Sequence, residues 1–393
     1  MTTDSIEAKV SPSILTWART ASGLSIPEAA RRLDVEERRL SDWEEGREAP
    51  SIAKLENLAE TYHRSLATFL LPSPPREPSS LPDFRVLGER ERASPFSEKT
   101  LLAIRRARRV QRVASDLTEE HNLSRLGGMQ RLAGRLAPDA AAEKVAIDLG
   151  AYETEPPRFA TPYQAMAHWR AWLEALGIIV LHFPMPVEDV RGFTLPDGTP
   201  PIIVVNQSDS PRARNFTMLH ELGHLVRKTE GVCDLGGEGL DGRVPPIESW
   251  CNAFAGSFLV PRPSLLNELG SYTKGEVPPD EELKRLSSRY QVSETTILRR
   301  LLSTGVILQD QYREHARLRQ GFREGGRRQD RAAAKRNMPV ERVAEYGAPF
   351  ISVVLKGTSE GRLALSDAAD ILDVRVRHLP GLSDRAAKVL TRA

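Results

Sequence analysis

Apolar side chains recur every three or four positions in short runs between residues 11 and 71, the spacing of small packed helices. Ser13 to Ala21 carries Ile14, Leu15, Trp17 and Ala18 on that spacing. Ser25 is placed to cap a second helix, with Pro27 in its first turn and Ala29, Ala30 and Leu33 on one face. Asp34-Val35 forms a turn, and Glu36 to Glu44 a third helix ended by Gly46. Pro50-Ser51 opens a fourth helix holding Leu55, Leu58 and Ala59, and a fifth runs from Ser65 to Leu71. The pattern predicts a five-helix bundle over 11–71.

Pro72, Pro74, Pro75 and Pro78 then keep a linker extended, and a linker and extension are assigned to 72–96. Residues 97–155 read as a helical connecting region with Arg105, Arg106, Arg108, Arg109 and Arg112 along it. The preferred interpretation of those arginines is the solvated basic face of an amphipathic helix, with a phosphate-facing surface as the alternative.

A further domain is expected over 160–305. Tyr163 to Leu176 is a helix stopped by Gly177, and Ile178 to Phe183 is an apolar run of β type. Gly192 to Leu195, a turn at Pro196-Asp197-Gly198-Thr199, and Pro201 to Asn206 read as an antiparallel strand pair. Ser210 caps the next helix, with Pro211 at its first position, and that helix runs through His224. A Gly-rich loop follows from Gly231 to Pro246, then helices at Ile247 to Leu259 and Ser287 to Leu302. Residues 306–393 form a basic, mostly helical C-terminal region in which Phe350 to Leu355 is strand or buried helix. No internal repeat is evident. The fold class is mainly α with a small β-sheet (α+β).

A chain of 393 residues needs two or three cores. With 55 basic and 53 acidic residues the net charge is +2, which excludes a whole-chain polycation and leaves nucleic-acid binding to local patches. Two cysteines, Cys233 and Cys251, are too few for a disulfide scaffold, so a reducing compartment is expected. No secretory signal and no spanning apolar segment is visible, so the expectation is a cytoplasmic protein with no membrane partner.

The chemistry concentrates in His220-Glu221-Leu222-Gly223-His224, an H-E-x-x-H on a helix. Two histidines four residues apart share a face and can share one metal ion, while Glu221 can take a proton from water held there. A hydrolytic zinc wants a third protein ligand. Glu248, in the first turn of the following helix and on one face with Asn252, is preferred. Glu238, Asp241, Asp234 and Cys251 are rivals. His182, Arg191 and Tyr272 are candidates for oxyanion stabilisation, and the strand pair before the helix could hold an extended peptide by edge pairing.

His220-Glu221-Leu222-Gly223-His224-Leu225, then Glu248-Ser249-Trp250-Cys251-Asn252-Ala253-Phe254-Ala255 and Phe258-Leu259-Val260-Pro261, resemble the ImmA/IrrE metallopeptidases. In that family the later helix carries E-x-x-A-N-x-F-A and ends in L-x-P. The resemblance implies Glu248 as third metal ligand, and Cys251 departs from the usual alanine. Val292-Ser293 and Arg300-Leu301 match the family's V-S and R-L segment. The resemblance covers about residues 160 to 305. It implies a Zn2+ cofactor, with Mn2+ or Fe2+ as alternatives.

Leu24-Ser25, Ala29 to Leu33, Leu40 to Arg47 and Pro50-Ser51 resemble the XRE-type helix-turn-helix. The helix Glu36 to Glu44 would then enter the major groove, with Arg38, Arg39, Ser41 and Arg47 as DNA-binding candidates. Glu36 and Glu37 suit the helix dipole rather than a polyanion. The combination, with Leu81-Pro82-Asp83-Phe84-Arg85 and a tail at Leu365-Ser366-Asp367-Ala368-Ala369, resembles the long fused regulators of this family. It implies a DNA-binding regulator with a zinc endopeptidase domain, a protein substrate such as a partner repressor or antitoxin, and a homodimer as one candidate state. The alternative is a non-proteolytic regulator or antitoxin whose metal fold senses a ligand or partner.

Overall fold

The computed structural model describes residues 10–75, 96–118, 135–228, 231–233 (backbone only), 246–270, 275–315 and 337–391. The fold is mainly helical with one small sheet. Among the described residues, 10–75 and 96–106 belong to one compact unit and 107 onward to another, the helix Glu98–Leu117 contributing to both.

The first unit contains helices Pro12–Ala21, Ile26–Leu33, Glu37–Glu44, Ile52–Thr61 and Leu66–Phe69. Ser25 caps the second of these by a reciprocal box. Its hydroxyl accepts from Glu28 N, and Glu28 Oε2 accepts from Ser25 N at 3.0 Å. Glu36 lies outside the third helix as its N-cap, in extended backbone. Ile14, Leu15, Ala30, Leu33, Leu40, Trp43 and Leu58 fill the core. Arg19 clamps the first helix to the third through a bidentate pair with Glu44, at 2.7 and 2.9 Å.

In the second unit four strands form a sheet: β1 Ile179–Phe183, β2 Gly192–Leu195, β3 Ile202–Asn206 and β4 Gly231–Cys233, in the order β1-β3-β2-β4. β2 and β3 pair antiparallel, β1 runs parallel to β3, and β4 adds antiparallel to β2. The expected edge site on the β2–β3 pair is therefore corrected, because β1 and β4 cover both of its outer sides. One sheet face presents Val180, Ile203 and Val205 to the main core. On the other, Phe183 meets Tyr346 edge-on with ring centroids 5.6 Å apart.

The helix Pro211–Arg227, here the motif helix, is capped by the Ser210 hydroxyl accepting from Ala213 N at 3.3 Å. Every residue from Arg214 to Val226 is buried, so the helix is enclosed on all sides. It packs against the sheet, against helix Pro162–Ala175, and against Pro246–Leu259, here the glutamate helix. Helix Pro138–Asp148 packs against the glutamate helix. Arg300 ties down the end of that helix by donating to Val260 O at 3.0 Å and pairing with Asp139 at 3.0 Å.

The run Phe350 to Leu355 is helical, inside Ala348–Ser359, because its buried residues Phe350, Ile351 and Val354 follow helical spacing. Of the arginines on Glu98–Leu117, Arg109 and Arg112 are exposed, as a solvated face requires. Arg105 and Arg108 are half-buried, donating to Tyr62 O and to Asp197 respectively. Among the described residues no helix is long and apolar enough to cross a membrane.

Gly192 lets β2 lie against the motif helix. A Cβ there would stand 2.5 Å from Thr217 Cγ2 and 2.8 Å from the Val204 carbonyl oxygen. Gly192→Ala is expected to cost about 1–3 kcal/mol of stability through overpacking, read from urea unfolding of the full chain. An unchanged midpoint would show that the strand can withdraw freely.

Candidate metal centre and nucleic-acid interface

His220 and His224 are one helical turn apart on the motif helix, and Glu248 stands in the first turn of the glutamate helix. The two helices approach closely at Gly223, where a Cβ would lie 3.3 Å from Cys251 Cα and 3.2 Å from its Sγ. That contact carries the carboxylate to the imidazoles. Glu248 Oε2 is 3.2 Å from His220 Nε2, and Glu248 Oε1 is 3.2 Å from His224 Nε2. The two Nε2 atoms are also 3.2 Å apart. Donor atoms of all three residues lie within 4.8 Å of one another, and all three residues are buried.

Such a group could hold a metal ion. His220 Nδ1 lies 3.1 Å from Asn252 Oδ1, which orients the ring so that Nε2 faces His224 and Glu248. Electron-rich atoms converging in a dry site repel unless a cation lies among them. Two imidazole nitrogens bound at about 2.0–2.1 Å in a tetrahedral arrangement sit about 3.3 Å apart, close to the spacing found. The donors, two imidazoles and one carboxylate, suit a hydrolytic zinc and also accept Mn2+ or Fe2+. Burial works against a charged Glu248, but hydrogen bonds and charge from His220 and His224 outweigh it and bring the carboxyl down to about 2.

Glu221 is 0% exposed. Its Oε2 accepts from the Thr194 hydroxyl at 2.6 Å, while no hydrogen-bond partner among the described residues reaches Oε1. Burial pushes this carboxyl up to about 8, against opposing effects from His224 and Thr194. Cys251 is packed beneath Gly223, with its thiol pushed well up by burial and by Glu248 and Glu221, so it stays neutral. Asp234, Glu238, Asp241 and Tyr272 lie outside the described residues. His182 is buried in β1, its Nε2 without a hydrogen-bond partner, and is kept neutral by burial and by Arg170 and Arg214. Arg191 is paired to Asp209 at 2.7 Å. Neither belongs to the three-donor group.

Thr194 and Asn252 were not singled out as site residues by the motif. Thr194 carries no sequence signal beyond an inward hydroxyl on a strand. Asn252 carries one, since it falls on the Glu248 face of the same helix.

On the first unit, Arg38 and Arg39 are exposed on Glu37–Glu44, and Ser41 is half-buried. Arg38 makes no ion pair among the described residues. Arg39 lies over the Trp43 ring at 5.6 Å and 3.7 Å from Glu48. Arg47 is engaged by Asp42 at 2.5 Å and by Glu45. Of the four candidates, Arg38 is the most available to a phosphate.

Fold and site together define a helix-turn-helix protein that carries a metallopeptidase-like domain. Residues 173–302 match the family model of the IrrE N-terminal-like domain, and residues 15–69 match that of a helix-turn-helix domain. The chain thus joins a helix-turn-helix domain to an ImmA/IrrE-type domain. No curated protein matches it.

Asn252→Ala is expected to lower metal affinity about 10- to 100-fold by freeing the His220 ring, measured by competition with a chromophoric chelator. Retention of full affinity would show that the ring is fixed by packing alone.

Proposed function

We propose that this chain is a DNA-binding regulator with a zinc-dependent endopeptidase domain that cleaves a partner protein, of repressor or antitoxin type. In this assignment residues 11–71 contact DNA, 160–305 hold the hydrolytic chemistry, and 72–96, 97–155 and 306–393 are the linker, connecting and C-terminal segments. The observation that supports it is the buried Glu221 carboxyl, next in sequence to the metal-ligand candidate His220 and close enough to His224 and Glu248 to feel their charge.

A zinc ion held by His220, His224 and Glu248 would polarise the scissile carbonyl and lower the pKa of water at the site. Glu221, its raised carboxyl brought down by a cation held at the neighbouring donors, would take a proton from water and pass it to the leaving amine. Thr194, bonded to Oε2, holds the carboxylate in one orientation. Asn252 fixes the His220 ring so that Nε2 faces the metal position. Burial of His220, Glu221 and His224, each 0% exposed, favours a second possibility, a regulator whose metal fold senses a partner without cutting it.

Glu221→Gln is expected to retain the metal and DNA binding but to abolish cleavage, while Glu248→Ala loses the metal. Elemental analysis of the purified variants, with the cellular output of Glu221→Gln against wild type, tests both. Unchanged output from Glu221→Gln selects the sensing alternative. In the DNA module, Arg38→Ala with Arg39→Ala should weaken duplex binding and flatten its salt dependence. An unchanged gel shift would argue against groove insertion by Glu37–Glu44.

A further inference from the structure

The C-terminal helices repeat the first module. The stretch Ala29-Ala30-Arg31-Arg32-Leu33-Asp34-Val35-Glu36-Glu37-Arg38-Arg39-Leu40 aligns with Ala368-Ala369-Asp370-Ile371-Leu372-Asp373-Val374-Arg375-Val376-Arg377-His378-Leu379. The two agree at seven of twelve positions. The expectation that the chain has no internal repeat is therefore corrected.

The backbone agrees where the side chains do. Asp34 and Asp373 both adopt φ 52°. Val35 N donates to Ala30 O at 3.0 Å, and Val374 N to Ala369 O at 2.9 Å. Upstream, Gly23 and Gly361 both take φ 70° after helices Pro12–Ala21 and Ala348–Ser359. Those helices bury Ile14, Leu15 and Ala18 in one case and Phe350, Ile351 and Val354 in the other, the same i, i+1, i+4 pattern. Leu33 and Leu40, like Leu372 and Leu379, are buried on either side of the turn. A left-handed turn of this kind also occurs at His63 and Gln291 without the shared sequence, so the turn alone is not diagnostic. Among the described residues, turn, burial pattern and sequence coincide in these two places alone.

Charge separates the copies. Residues 36–48 of the first module hold three basic side chains and six acidic ones. The equivalent residues 375–387 hold Arg375, Arg377 and Arg385 against Asp384 alone. Arg375 occupies the position of Glu36, and Arg377 that of Arg38. Arg375 and Arg377 are exposed and make no ion pair with an acidic residue among the described residues. Asp373 beside them is engaged by Arg342 at 2.8 Å. The two arginines lie at the 3-10 turn Val376–His378 that leads into helix Leu379–Leu390, the position where helix-turn-helix modules meet the groove, and make it a positive surface.

We propose that residues 348–390 are a second helix-turn-helix module that binds double-stranded DNA, with Arg375 and Arg377 on the phosphate backbone. This goes beyond the function proposed above and does not depend on the metal site. The full chain is titrated onto a labelled duplex of about 30 base pairs at several salt concentrations between about 50 and 200 mM. Arg375→Ala with Arg377→Ala should weaken binding about tenfold or more at the low-salt end and reduce the log–log salt slope by about 2. The same loss is expected in a chain already carrying Arg38→Ala and Arg39→Ala, which separates this surface from the N-terminal one. The charge-keeping pair Arg375→Lys with Arg377→Lys should retain the slope. Unchanged affinity and slope in both backgrounds overturn the proposal. So does equal loss from the lysine pair, which marks a structural effect, and so does a wild-type chain that binds no duplex.

Discussion

The close contact of two helices at Gly223 is the constraint on which the metal centre depends. With a side chain at 223 the glutamate helix would ride outward over Cys251, and the 3.2 Å separations between Glu248 and the two imidazoles would open. The remaining contacts act to hold that approach. Trp250 stacks on Phe254 at 5.3 Å, Phe254 meets Phe258 at 6.1 Å, and Trp169 closes on Phe258 at 5.6 Å. Arg300 fixes the far end of the same helix through Val260 O. Glu248 is thus positioned by a packed helix rather than by a loop, which is how a donor can be held to the tolerance a metal site needs.

Enclosing a helix that carries Arg214, Asn215, Thr217, His220, Glu221 and His224 runs against the preference for apolar interiors. The fold meets most of that cost with specific partners. Asn215 donates to Pro162 O and Gln291 O, Thr194 serves Glu221, and Asn252 serves His220. Asn215 Oδ1, Thr217 Oγ1 and Glu221 Oε1 have no hydrogen-bond partner among the described residues.

Much of this was legible in the residues, for identifiable reasons. Ser25 and Ser210 announce their helices because a hydroxyl followed by proline in the first turn satisfies the free amides and pre-sets φ. Spacing alone puts His220 and His224 on one face, and the first-turn position of Glu248 with Asn252 one turn later anticipates their shared direction. Other features were not accessible. β4 is three residues long in a Gly-rich stretch, and its pairing is visible only from β2. The parallel alignment of β1 with β3 depends on β2 being displaced outward, a tertiary choice with no local signal. Phe350 to Leu355 is too apolar for periodicity to discriminate helix from strand. The likeness of 368–379 to 29–40 gives a weak sequence signal because its identities are scattered through twelve positions and its charges are partly reversed.

The short strand β4 has a consequence for how the third donor arrives. It lies on the chain between the motif helix and the glutamate helix, so its pairing with β2 pins that connection soon after it begins. A connection tethered partway has fewer conformations to surrender when its far end is placed, although the gain is logarithmic and small. The larger effect is on direction. β2 carries Thr194, which holds Glu221, so the strand that orients this carboxyl also anchors the segment leading to Glu248. Loosening this ribbon would therefore disturb the hold on Glu221 and the placing of Glu248 together.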